Sequence, residues 1–97
     1  MLEKSFRASR LFKALGNPVR YIIVEELCKN EELTPGQLSE LVERPIANVS
    51  QHLMHLRSLD IVRFDSKQGN IEYRIKIKGI CGLLKRAELC AASIPIK

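Results

Sequence analysis

The chain has 97 residues, enough for one domain, with 45% hydrophobic and 28% charged side chains, the balance of a globular protein. No apolar run approaches the roughly 20 residues needed to cross a bilayer, and residues 1–6 lack the apolar core of a secretory signal. No membrane partner is expected, and a cytoplasmic location is the default.

The net charge of +5 is unevenly spread. Residues 1–45 hold seven Lys/Arg and seven Asp/Glu, whereas residues 46–97 hold nine and four, which points to a polyanionic partner for the second half. Three cysteines, an odd number, argue against a disulfide scaffold. A domain of this size buries only about two-thirds of the surface its unfolded chain exposes, so a second subunit sharing apolar faces would help.

Residues 3–15 place Phe6, Leu11, Phe12 and Leu15 at near-helical spacing, with Gly16 expected to end that helix in the left-handed conformation. Asn17 can cap a second helix and Pro18 suits its first position, having no N–H to leave unpaired. Val19, Ile22, Ile23 and Leu27 then share one face, and the helix ends near Cys28-Lys29. Thr34 and Gln37 form a capping box for a short third helix over residues 35–42, with Leu33 and Leu38 at the staple positions and Leu38, Leu41 and Val42 facing inward. Glu43-Arg44-Pro45 breaks it. A fourth helix over about residues 45–59 buries the stripe Val49, Leu53 and Leu56, and Asp60 follows where a left-handed residue is wanted.

The period then changes from 3.6 to 2. Val62 and Phe64 alternate with Arg63 and Asp65. After a turn at residues 66–70, with Gly69 and Asn70 as the residues expected to take positive φ, Ile71, Tyr73, Ile75 and Ile77 alternate with charged residues. The pair is a basic hairpin. An amphipathic helix over residues 79–92 carries Ile80, Leu83, Leu84, Ala87 and Cys90/Ala91 on one side, and residues 93–97 form a loose tail. The fold class is mainly α with a small β-hairpin, in the order helix, helix, helix, helix, strand, strand, helix: a single winged helix-turn-helix domain over residues 1–97.

Helix-turn-helix proteins lay their second helix in the major groove of double-stranded DNA. At about 100° per residue from the buried stripe, Ala47, Gln51, Met54 and Ser58 point outward, flanked by Asn48, Ser50 and His55. Gln and Asn can pair with adenine through two hydrogen bonds, and Ser with base edges or phosphates. No acid interrupts residues 45–59. The wing supplies Arg63 and Lys67, which would meet phosphates, with Gln68 and Asn70 at or near its tip. The candidate DNA-binding set is therefore Ala47, Asn48, Ser50, Gln51, His55, Arg63, Lys67 and Gln68. A winged helix serving only as a protein-interaction module is the alternative; no nucleophile–base pair, paired carboxylates or phosphate-cradling glycine loop points to an enzyme.

The run Leu11-Phe12-Lys13-Ala14-Leu15-Gly16-Asn17-Pro18-Val19-Arg20 resembles the opening of the ArsR/SmtB family of repressors. Leu38-Ser39-Glu40-Leu41 and Val49-Ser50-Gln51-His52-Leu53-Met54-His55-Leu56-Arg57 resemble that family's recognition helix-turn-helix, and the wing ending in Tyr73-Arg74 is similar too. The resemblance implies a homodimer joined through its first and last helices, and repression by operator binding that an inducer or a thiol modification releases. Two departures stand out. Asp60 replaces the usual Gly, and Pro45-Ile46-Ala47-Asn48 replaces a common Ser-Gln-Ser, so a different operator is expected. The third helix holds no Cys or His and the last holds no His, so neither of the family's metal sites is present, and no metal or cofactor is expected. His52 and His55 could touch one metal at i, i+3, but a packing or hydrogen-bonding role is favoured for His52. The resemblance also implies a possible thiol switch between Cys28 and Cys90, weighed against buried cysteine as an ordinary core residue. Cys81 and Cys90 cannot bridge within one helix: nine residues rise about 13 Å.

Overall fold

The computed structural model describes residues 2–95. The first residue lies outside them, as do residues 96 and 97 of the expected tail. Seven elements follow in order: α1 (Glu3–Leu15), α2 (Pro18–Lys29), α3 (Pro35–Val42), α4 (Ile46–Ser58), β1 (Val62–Lys67), β2 (Asn70–Ile75) and α5 (Ile80–Ala91). The two strands form one antiparallel sheet. Among the described residues no helix is long and apolar enough to cross a membrane.

The helix boundaries follow from local chemistry. Asn17 caps α2 by accepting from the backbone N–H groups of Val19 (2.9 Å) and Arg20 (3.1 Å), with Pro18 at the first helical position. The capping box of α3 is complete: Gln37 N–H donates to Thr34 Oγ1 (3.1 Å), and Thr34 N–H donates to Gln37 Oε1 (2.9 Å). Asp60 has φ 60°, as its position after α4 required.

Gly16 departs from expectation. Its φ is −72°, right-handed, and its N–H bonds to Phe12 O and Lys13 O. A glycine suits this place because of close approach, since a Cβ would lie 3.2 Å from Phe12 O. The left-handed break falls instead at Glu43, φ 54°, between α3 and α4. The hairpin turn is also tighter than expected. Lys67 and Asn70 already pair across the strands, so only Gln68 and Gly69 form the loop, at φ 51° and 81°. Positive φ thus falls on Gln68 and Gly69, not on Asn70. Such a turn matches the right-handed twist of the strands.

α2 is the hub, packing on α1, α3, α4, β2 and α5. Ala14, Ile23, Val24, Leu38, Val49, Leu53 and Leu56 are all fully buried around it. The stripe expected on α4 is therefore the core face. Leu41 does not face inward as the α3 periodicity suggested: it is 48% exposed, while Val42 is half-buried. An eight-residue helix wedged between α2 and α4 buries a narrower face than its apolar residues could fill. Ile22 is likewise exposed, and Val24 takes its place in the core. β2 ends at Ile75, before Ile77, and Ile71 is exposed because it lies near the hairpin tip, beyond the helical body. At the chain end, Ser93 and Ile94 donate to Cys90 O (3.1 Å) and Ala91 O (3.0 Å), so the tail begins as a turn closing α5.

α2 and α5 run antiparallel. The Tyr21 hydroxyl at one end donates to Glu88 Oε2 (2.6 Å) and lies 3.3 Å from Leu84 O. At the other end Cys28 is disulfide-bonded to Cys81, with Cα atoms 5.7 Å apart. This corrects the pairing of Cys28 with Cys90. In this antiparallel register Cys28 meets the first turn of α5, and Cys90 lies more than two turns further along, exposed and free. Burial, followed by Glu88 as hydrogen-bond acceptor and negative charge, pushes the Tyr21 hydroxyl up to about 12.

Candidate nucleic-acid interface

The turn between α3 and α4 is locked from within. Glu43 N–H returns to Ser39 O, Arg44 N–H donates to the same oxygen (3.2 Å), and the Ser39 hydroxyl donates to Arg44 O (2.5 Å). Pro45 then takes the N-cap place of α4, where its side chain can accept no hydrogen bond. The first free N–H groups of α4 are thus left open at the positive end of a helix, a disposition that suits anions.

On α4, Ala47, Gln51, Met54 and Ser58 are exposed, Asn48 and Ser50 are half-buried at the edges of the outer face, and His55 is exposed. His52 is half-buried, its Nδ1 3.4 Å from Arg20 Nη1 of α2, while Arg20 Nε donates to Ala14 O (2.8 Å). Burial first, then the Arg20 and His55 charges, lower the His52 pKa below its usual 6.5. Its ring is therefore a neutral acceptor tying α4 to the α1–α2 corner, the hydrogen-bonding role favoured from sequence. Among the described residues, no three His, Cys, Asp or Glu are placed to hold a metal ion.

The hairpin projects beside α4. Phe64 and Tyr73 pair across the strands with ring centroids 5.6 Å apart, and the Arg57 guanidinium of α4 lies 4.2 Å from the Phe64 ring. Stacking of this kind fixes a cation without neutralising it. Met54, Arg57, Ser58, Arg63, Phe64 and Lys76 line an open groove of about 650 Å³ between helix and wing. Arg57 was not among the sequence candidates; its stacking on Phe64 spans 7 residues from helix to wing and has no periodic signature in the sequence. Of the wing candidates, Arg63, Lys67 and Gln68 are all exposed, but Arg63 lies 3.3 Å from Asp65, and Lys67 is gripped by Glu32 from the α2–α3 loop.

A capped short helix, a locked break, a second helix with an acid-free outer face and a flanking hairpin define a winged helix-turn-helix transcriptional regulator, a class that works by binding DNA. Residues 15–64 match the helix-turn-helix domain family. The transcriptional repressor PagR of Bacillus anthracis is 36% identical over 80 residues, 78% of this chain and 79% of PagR. Its crystal structure superposes with a TM-score of 0.77 over 87% of this chain and 95% of that one, at 27% identity. HlyU from Vibrio cholerae aligns over 96% of this chain and 100% of its own, with a TM-score of 0.83 and 27% identity. A homodimeric winged helix-turn-helix domain from Mycobacterium bovis, described as a possible ArsR-family regulator, shares the fold at a TM-score of 0.80 and 20% identity, over 95% of this chain and 88% of its own. The chain belongs to this helix-turn-helix domain family and is a DNA-binding transcriptional regulator, not an enzyme.

Proposed function

We propose that the protein is a cytoplasmic, homodimeric repressor that reads its operator with α4. The observation that carries this is the outer face of α4, where Gln51 stands exposed between Asn48, Ser50 and His55 with no carboxylate on the helix. Asn48, Ser50 and Gln51 contact base edges, with Ala47 allowing close approach and His55 further along the groove. Arg63, Lys67 and Gln68 meet the backbone and set the register. PagR, at 36% identity, is a repressor, which favours repression here.

The dimer forms through α1 and α5. Phe6 (47%), Phe12 (54%) and Leu89 (64%) are exposed on these helices in the single chain. Apolar side chains of that size on the two terminal helices suit a partner face. Release of the operator follows from the thiol pair Cys28–Cys81. That bond fastens the end of α2, which leads directly into the helix-turn-helix, to the proposed dimer helix α5, and its oxidised form binds more weakly.

Footprinting of the purified protein under reducing conditions tests the reading. It should protect two half-sites about 34–36 Å apart, or a multiple of that. Gln51→Ala should cost about 1–3 kcal/mol on that site and relax its specificity, with little change on random DNA. Equal losses on both would remove Gln51 from base reading.

A further inference from the structure

All three cations of the hairpin are already engaged by carboxylates. Arg63 Nη2 lies 3.3 Å from Asp65 Oδ1. Arg74 contacts both Glu32 and Asp65. Lys67 Nζ donates to both oxygens of Glu32, at 3.0 and 2.9 Å. Arg63, Lys67 and Arg74 are balanced by Asp65, Glu72 and Glu32, so the wing with its anchor carries no net charge. The +5 of the chain lies elsewhere.

Glu32 does not meet the wing by chance of a long loop. Its neighbour Leu33 exchanges two backbone hydrogen bonds with Tyr73 of β2, Leu33 N–H to Tyr73 O (3.1 Å) and Tyr73 N–H to Leu33 O (2.8 Å). This bridge fixes residue 32 at the edge of the hairpin. The Glu32 side chain is 20% exposed while that of Lys67 is 52% exposed. The carboxylate side chain is therefore largely shielded, while the Lys67 side chain that it holds stays half exposed near the wing tip, where the proposed DNA backbone would pass.

We propose that Glu32 is an internal counter-ion that sets the strength of the wing's grip on DNA. Glu32 and a backbone phosphate compete for Lys67. While Glu32 holds it, the sequence-independent part of binding is weakened, and more of the affinity depends on α4. The inference rests on the DNA-binding reading above, and its test separates the two.

The experiment is duplex binding of random-sequence DNA by fluorescence anisotropy across a salt series, for wild type, Glu32→Gln, Lys67→Ala and the double variant. Each neutralised phosphate contributes a slope near −0.9 in log K against log salt. Glu32→Gln should bind about two- to fivefold tighter, the range that exposed ion pairs span, with a slope steeper by up to about one unit. Lys67→Ala should weaken binding across sequences, and in the double variant the gain should vanish. A Glu32→Gln protein no tighter than wild type, or a gain that survives without Lys67, overturns the inference while leaving DNA binding standing. Affinity lost in Glu32→Gln with unchanged melting also overturns it, because Glu32 would then be shaping the wing. If Glu32→Gln does not fold, Glu32→Asp, with its shorter reach toward Lys67, must show the same gain. A wild type without salt-dependent duplex binding overturns the underlying reading and the inference together.

Discussion

His52 shows how a single side chain can tie α4 to the body of the fold. Its ring accepts from Arg20 only while neutral, and burial, Arg20 and His55 all disfavour its charged form. The unfolded chain has no such restraint and takes up a proton below about pH 6.5. The unfolded state therefore binds more protons in the window from pH 6.5 down to the lowered native pKa, and stability falls as the pH drops through it. Urea midpoints at pH 7.5 and 5.5 should show this fall in wild type. A His52→Gln variant should show a smaller one; an equal fall in both would assign the acid sensitivity elsewhere.

α4 sets two neighbouring residues to opposite tasks. Leu53 is fully buried, and truncation to Ala should cost about 2–5 kcal/mol in chemical denaturation. Met54, 65% exposed on the other face, should lose less than about 0.5 kcal/mol on the same change. Comparable losses at both positions would mean that the helix is rotated from the arrangement described here. This face was legible in the sequence because Val49, Leu53 and Leu56 repeat at helical spacing and nothing nearby competes with them. The caps at Asn17 and Thr34 were legible for the same reason: each is a local bond between residues two or three apart. Gly16 misled because glycine after a helix suggests a left-handed end, whereas here the next cap, Asn17, follows at once and the helix closes right-handed. The pairing of Lys67 with Glu32 spans 35 residues and left no local trace. It depends on the Leu33–Tyr73 bridge, which no periodicity announces.

At the scale of the whole molecule, the disulfide was the feature least open to sequence reasoning. Its partner depends on which turn of α5 faces the end of α2, and that follows only from the antiparallel packing that also brings Tyr21 to Glu88. Constraining a loop of this length restricts the unfolded chain, worth up to about 4 kcal/mol in a chain-entropy treatment. Guanidine unfolding with and without reductant should differ by an amount approaching that figure. A Cys28→Ser/Cys81→Ser variant should match the reduced protein and be indifferent to reductant. A Cys90→Ser variant should behave as wild type.

The bond between residues 28 and 81 also encloses α3, α4 and both strands within one covalent ring. A protease that cuts once anywhere inside that ring, at the exposed Gln68-Gly69 tip for instance, leaves both pieces joined. The nicked chain would run as a single band on a denaturing gel until a thiol is added, and then as two.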